Sequence, residues 1–350
     1  MHIKVIPKWG FENENGQSLH DNLLPLLDGI NRTGRLTQAA KGVGVSYRHA
    51  WNLLRDSEAF FGSPLVILEK GRGATLLPLG IKLLRSNQRI EARLHPEAES
   101  LSSELNVELQ NILASDEPVV RIFASHGYAV AAMTEFTRYS QFEMHYHAPE
   151  HALIALNEGR CRIAGFHQAI NLEIPDQKTR YRELLDPSRF GIIRFIRRQQ
   201  GLIFAENNPF NINKISDLSK VGLRLINRQD TSGTRVLLEQ LLKDKHIDSS
   251  KIDGYNDQEF THSAVAAHIA SGMADVGFGV EAAARRFNLG FAPIVKEYYL
   301  WAYPLVAEQD KDIQAFISTL ADTEFQTIVN KLPGYQCDRS GEVVSTDSLV

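Results

Sequence analysis

A chain of 350 residues that is 43% hydrophobic and 23% charged, with a formal net charge of −4, has the make-up of an ordinary soluble globular protein. This excludes a disordered or fibrous chain and leaves room for two or three domains. Its two cysteines, Cys161 and Cys337, stand far apart without a Cys-x-x-Cys partner, so neither a disulfide framework nor a zinc site is implied. The stretch Met1–Trp9 lacks an apolar signal segment and no apolar run reaches membrane-span length, so a cytoplasmic location without a membrane partner is expected.

The charge is uneven along the chain. Between Leu19 and Ile90 ten basic residues stand against five acidic ones, a net of +5 that leaves −9 on the remainder. A basic module on an acidic body points that module at a polyanion.

Leu23 to Ile30 has the spacing of an apolar helix that stops near Asn31-Arg32-Thr33-Gly34. A second helix over Leu36–Lys41, the turn Gly42-Val43-Gly44-Val45 and a third helix from Ser46 to about Phe61 complete a helix-turn-helix pattern, with Ser46 suited to the N-cap. Thr37 and Gln38, with Ser46, Tyr47, Arg48, His49 and Asn52 at the start of the third helix, are the candidate DNA contacts; Trp51, Leu53 and Leu54 are assigned to the core. Two short strands, Leu65–Lys70 and Ala74–Leu77, flank Gly71-Arg72-Gly73, which would present Lys70 and Arg72 to phosphate. From about Leu24 to Leu84, Leu36-Thr37-Gln38-Ala39-Ala40-Lys41 and Val45-Ser46-Tyr47-Arg48-His49-Ala50-Trp51, with this wing, resemble the winged-helix domain of molybdate-responsive repressors of the ModE type, and more distantly LysR-type regulators.

Pro78-Leu79-Gly80 opens a helix over Ile81–Leu94 that is expected to break at His95-Pro96 and resume from Ala98 to Ala114. Leu101, Leu105, Leu109 and Leu113 would form an apolar stripe. In both families named above the helix after the wing dimerises, so the resemblance implies a homodimer or a tetramer built from dimers.

From Val119 onward strands and helices alternate, predicting an α/β unit of mainly parallel sheets. Ser125-His126-Gly127-Tyr128 leads from one strand into a helix, and Thr231-Ser232-Gly233-Thr234 does the same between Val221–Arg228 and Arg235–Leu242. A helix start carries unpartnered N–H groups and the positive end of the helix dipole, so two such starts facing one another suit a small anion. The structural alternative is plain capping by Asp230, Thr231 or Ser232. Phe190–Phe204 is expected to pass between two lobes. Asp253, Asp257 and Glu259 are read as a loose surface cluster, and His145, His147 and His151 lack the partners of a metal site.

Asn227-Arg228-Gln229, Thr231–Arg235, Gly254-Tyr255, Thr261–Ala267 and Ala270–Gly279 together resemble, over about Val119 to Ala307, the periplasmic-binding-protein class related to molybdate and tungstate carriers. Thr231 departs from the glycine of that family's Gly-Ser-Gly-Thr-Arg. The resemblance implies a two-lobed type II fold and places Ala-Gly-x-His and Thr-His near the cleft. The ligand candidates are Ser125, His126, Gly127, Tyr128, His167, Arg228, Thr231, Ser232, Gly233, Thr234, Thr261 and His262, with Ser125, Ser232, Gly233 and Thr234 ranked above Arg228 and above Arg235, which lies inside a helix.

The expectation is therefore a multidomain protein: a winged helix-turn-helix over 19–85, a linker or dimerisation helix over 86–117, and a two-lobed α/β sensor over 118–345, with lobes of 118–200 plus 296–345 and of 201–295. No nucleophile elbow, His-Glu-x-x-His helix or phosphate loop is present, so no enzyme, cofactor or resident metal is expected. The reading is a one-component regulator that binds a double-stranded DNA operator and senses molybdate or tungstate. Its alternatives are a regulator of another small anion or pterin-like metabolite, and a cytosolic binding or accessory protein without DNA regulation.

Overall fold

The computed structural model describes residues 3–69, 73–113, 119–136 and 141–345. It divides the chain into two compact units, Ile6–Glu91 and the combination of Met1–Val5 with Ala92–Val350. The first unit begins earlier than the expected 19–85, and its boundary with the second falls inside a helix.

In the first unit, α1 (Leu23–Thr33), α2 (Leu36–Val43) and α3 (Tyr47–Phe61) precede the antiparallel hairpin of β1 (Val66–Glu69) and β2 (Gly73–Leu76). Leu23, Leu26, Leu27 and Ile30 bury one face of α1 against Leu36, Ala39, Ala40, Ala50 and Leu53. The α1–α2 crossing is close because Gly29 has no side chain: a Cβ there would come within 2.9 Å of the Ala39 Cβ. Gly44 closes α2 in the left-handed conformation (φ 78°). Ser46 then caps α3, accepting from His49 N at 3.1 Å. Thr37, Gln38, Ser46, Tyr47, Arg48 and His49 are exposed and Asn52 half-buried. Trp51 corrects its core assignment: it is 42% exposed, and Arg55 lies 5.3 Å from its ring centroid. Lys70 and Arg72 lie outside the described residues.

A single helix, α4 (Pro78–Ile112), begins in the first unit and continues in the second, so the break expected at His95-Pro96 does not occur. Pro96 lacks an N–H and leaves the Ala92 carbonyl without its helical donor; Thr261 Oγ1 donates to that carbonyl at 3.2 Å. Beyond Ala98 the packed side of α4 is polar, with Ser102, Ser103 and Asn106 buried, whereas Leu101 and Leu113 of the expected stripe are 46% and 62% exposed. Ser103 Oγ donates to Phe142 O and accepts from Met144 N.

The rest of the second unit is one mixed sheet with helices. In chain order it comprises β3 (Val119–Ala124), α5 (Tyr128–Glu135), β4 (Gln141–Tyr146), α6 (Pro149–Asn157), β5 (Ile163–Ala169), α7 (Pro175–Leu184) and β6 (Phe190–Phe204). There follow β7 (Leu225–Arg228), α8 (Gly233–Asp244), β8 (Gln258–Glu259), α9 (His262–Ala270), β9 (Val276–Val280), α10 (Glu281–Arg286) and β10 (Gly290–Pro304). It ends with α11 (Lys311–Ala321), α12 (Thr323–Asn330), β11 (Tyr335–Gln336) and β12 (Val343–Val344).

The strand order is β4-β3-β5-β10-β6-β9-β7-β8, with β11 and β12 also on β6. The expectation of mainly parallel sheets holds only at the two ends, where β3 pairs in parallel with β4 and β5, and β7 with β8 and β9. The centre is antiparallel: β6 and β10, fifteen residues each, pair from Gly290↔Phe204 to Pro304↔Phe190 and join the two lobes. One lobe packs Val120, Ile122, Met144, Trp301 and Phe316; the other packs Leu202, Leu225, Leu238, Val276 and Phe278. Strands β3 and β7 carry their following loops, and β5 carries His167, to one cavity.

Candidate functional site

Strand β7 is buried throughout, and the chain then turns through small polar residues into α8. Ser232 is extended (φ −72°, ψ 131°) and caps α8 by accepting from Thr234 N at 3.3 Å. Gly233 sits close against β5: a Cβ there would lie 3.1 Å from the His167 Cδ2, so the imidazole would have to give by a few tenths of an ångström. Likewise Thr261 caps α9, accepting from Ala264 N at 2.9 Å. The two lobes thus bring the starts of α8 and α9 against the loops that precede α5 and α6.

These ends surround a cavity of about 290 Å³. Of the sequence candidates, Ser125, His126, His167, Arg228, Ser232, Gly233, Thr234, Thr261 and His262 line it. Three do not. Thr231 is exposed, Gly127 is buried behind the wall, and the Tyr128 hydroxyl lies 2.6 Å from Ser263 Oγ. The two junctions also differ in detail: the Ser125 hydroxyl donates to His147 O at 3.3 Å, and α5 has no side-chain cap.

The charges at the site belong mostly to residues the sequence reading passed over. Arg198, on β6, is 2% exposed and donates from Nε to Glu297 Oε1 at 2.5 Å. The same carboxylate oxygen accepts from Gln200 Nε2 at 2.7 Å, and that amide also reaches Thr234 Oγ1 at 3.2 Å. Burial opposes the Arg198 charge, but Glu297 outweighs it and holds the pKa above the usual arginine value. Arg198 Nη2 lies 3.3 Å from His167 Nδ1, so the pair reaches the cavity wall.

Arg228, on β7, is 6% exposed and donates from Nη2 to Phe260 O at 2.9 Å and from Nε to Gln229 Oε1 at 3.3 Å. No carboxylate forms an ion pair with it among the described residues. Burial first, and then the neighbouring Arg198, pull its pKa down to about 9, against the weaker pull of Glu297 and Glu259. Two histidines complete this wall. Burial and the two arginines push His167 and His262 well below the ordinary histidine value, so both are neutral at pH 7, and His262 Nδ1 is buried without a hydrogen-bond partner. The arrangement is a small cavity with neutral imidazoles, hydroxyls, helix-start N–H groups and one guanidinium whose charge no carboxylate balances. Chemically it suits an oxyanion.

A further wall comes from α4, through Arg93, Pro96, Glu97 and Ser100. Arg93 makes a forked pair with Glu259, at 2.6 Å from Nη2 and 2.9 Å from Nε, and His268 Nδ1 lies 3.2 Å from the same carboxylate. Glu259 is therefore no surface acid: it is 0% exposed, and although burial opposes its charge, His268 and Arg93 hold its pKa below the usual carboxylate range. Arg235 is likewise fully engaged, with Glu239 at 2.8 Å, Tyr255 O at 2.9 Å and the Tyr255 ring at 4.0 Å. Alternation could have flagged Arg198 as an inward-facing strand position, whereas no local signal marked α4 as a cavity wall.

Residues 133–321 match the PBP superfamily domain. Among curated relatives, the uncharacterised protein YvgK of Bacillus subtilis (strain 168) is 29% identical over 194 residues, 55% of this chain and 62% of its own. The molybdenum-pterin-binding protein MopB of Rhodobacter capsulatus is 34% identical over 92 residues, 25% of this chain and 34% of its own. The molybdenum transport protein ModE of Azotobacter vinelandii is 26% identical over 107 residues, 29% of this chain and 40% of its own. The chain thus spans less than two thirds of the length of each of these three relatives.

Proposed function

The chain belongs to the PBP superfamily, and from that premise we propose that it is a ligand-sensing transcriptional regulator whose cleft takes a tetrahedral oxyanion, molybdate or tungstate first. The observation that carries the ligand class is Arg228, a buried guanidinium facing the cavity with no carboxylate partner among the described residues. Such a charge is costly to bury unless an anion completes it. The volume of about 290 Å³ lies just below the range of organic-ligand pockets, roughly 300–1,000 Å³, and accommodates a compact anion with water. The two relatives whose names carry molybdenum support that element over sulfate or phosphate. MopB's name also favours a second reading, a pterin-like ligand held by the same wall.

The DNA reading is supported by the exposed start of α3, with Tyr47, Arg48 and His49 free of the core, in a basic module. Lys70 and Arg72 remain candidates on sequence grounds alone. A route from ligand to helix is supported by α4, whose Arg93 and Ala92 are tied to Glu259 and Thr261 in one lobe, and whose Ser103 is tied to Phe142 and Met144 in the other. Cleft closure that changes these ties would bias α4 between two states, with a coupling of about 1–3 kcal/mol. A homodimer or tetramer, and a cytoplasmic setting, belong to the same reading.

The test is retention of a random-sequence duplex pool by the full chain, with and without molybdate, beside Arg48→Ala. Selective enrichment of one sequence class, an affinity shift of about fivefold or more with molybdate and loss of retention in the variant are expected. An absence of DNA retention would end the regulator reading in favour of a binding or accessory protein. Retention indifferent to molybdate, tungstate, sulfate and phosphate would redirect the effector search to organic ligands.

A further inference from the structure

Beside the cavity, one turn apart on α4, stand His95 and Glu99, and His126 approaches them from the loop before α5. One ligand atom from each of these three residues can be chosen so that all lie within 4.8 Å of one another. His95 Nδ1 is 3.2 Å from Glu99 Oε1, and His126 Nε2 is 3.2 Å from Glu99 Oε2. Tyr146 Oη donates to Glu99 Oε2 at 2.9 Å.

Three features separate this group from an ordinary hydrogen-bonded cluster. First, His126 Nε2 is buried and makes no hydrogen bond despite its 3.2 Å approach to the carboxylate, so its ring is not aimed as a donor to that oxygen. Second, Glu99 is largely buried, with an imidazole nitrogen 3.2 Å from each of its two oxygens. Third, the spacing suits a cation. Ligand atoms about 2.0–2.2 Å from a tetrahedral ion lie about 3.4 Å from one another. Each imidazole nitrogen stands 3.2 Å from a different oxygen of Glu99, near that spacing, and His95 is 45% exposed at its side chain. The Tyr146 hydroxyl would be an outer partner that orients the carboxylate.

We propose that His95, Glu99 and His126 bind one divalent transition-metal ion, with Zn²⁺ as the test ion. Two imidazoles and a carboxylate form a three-ligand set that leaves a fourth position open. His126 and Tyr146 also line the cavity, so an ion here would add positive charge beside it. The site does not rest on the oxyanion reading, because its test is run in buffer free of oxyanions.

The experiment is calorimetric titration of Zn²⁺ into the full chain, purified without a histidine tag, with bound metal counted after dialysis. One ion per chain is expected, with affinity reduced at least tenfold by His95→Ala and by Glu99→Gln, and a visible spectrum of four-coordinate Co²⁺ when Co²⁺ replaces Zn²⁺. His95 is exposed, so its variant reports on the site even if Glu99→Gln perturbs folding, which thermal melting checks. No uptake by the unaltered chain, or uptake unchanged in His95→Ala, would overturn the assignment.

Discussion

Two arginines on different strands of the sheet, both nearly free of solvent, hold opposite positions in this molecule. Arg198 lies on the long strand β6 with Glu297 of β10 opposite, in one hydrogen-bonded group with Gln200 and Thr234. Arg228 ends the short strand β7, finds only a backbone carbonyl and an amide, and has a pKa pulled down to about 9. The same side chain thus serves once as internal scaffold and once as an open charge. What differs is whether a carboxylate shares the burial.

The sharpest way to separate the two is to remove charge from each. Glu297→Ala strands Arg198 as an unpaired buried cation and is expected to destabilise the fold by about 3–5 kcal/mol, read by denaturant unfolding. Arg228→Gln removes a charge that no carboxylate balances; it is expected to leave stability unchanged or raised while lowering oxyanion affinity about a hundredfold, or about 2.7 kcal/mol. If both variants lost stability equally, the distinction would collapse.

Acidity and alkalinity probe the same contrast. Oxyanion affinity is expected to fall as the pH passes about 9, where Arg228 gives up its proton, while Arg198, held charged by Glu297, does not contribute there. His167 and His262 are depressed below 6.5 in the folded chain and return to that value on unfolding. The unfolded chain then binds more protons, so stability is expected to be full above about pH 6.5 and to decline as the pH falls below it. A flat stability profile from pH 7 to 5 would contradict the neutral, buried state of these imidazoles. The smallest effect is expected from Arg93→Ala: its guanidinium is half-exposed, so stability should change by about 1 kcal/mol or less. The response of DNA affinity to ligand should nonetheless weaken, because one tie between α4 and β8 is cut.

The junction at Ser232–Thr234 was legible because a buried strand, a small polar loop and a leucine-rich helix follow one another within twenty-two residues, 221–242. The antiparallel centre was not, because pairing partners a hundred residues apart leave no local trace. Arg198 sits in a run with Arg197 that reads as surface charge, and only the register of β6 on β10 assigns it to Glu297. Glu259 failed in the opposite way: amid polar neighbours it looked solvated, yet α4 brings Arg93 onto it. Pro96 suggested a helix end, and the structure instead gives the freed Ala92 carbonyl to Thr261. In each case the missing information was a long-range partner, and no periodicity encodes one.

The most direct measurement is calorimetry of molybdate binding to the unaltered chain and to Arg228→Gln at pH 7, with unfolding curves for both. The expected result is micromolar or tighter binding to the first, a loss of about a hundredfold in the second, and no loss of stability. Equal binding by the two proteins, or a variant that binds poorly only because it is unfolded, would contradict the account of Arg228 as the open charge of the site.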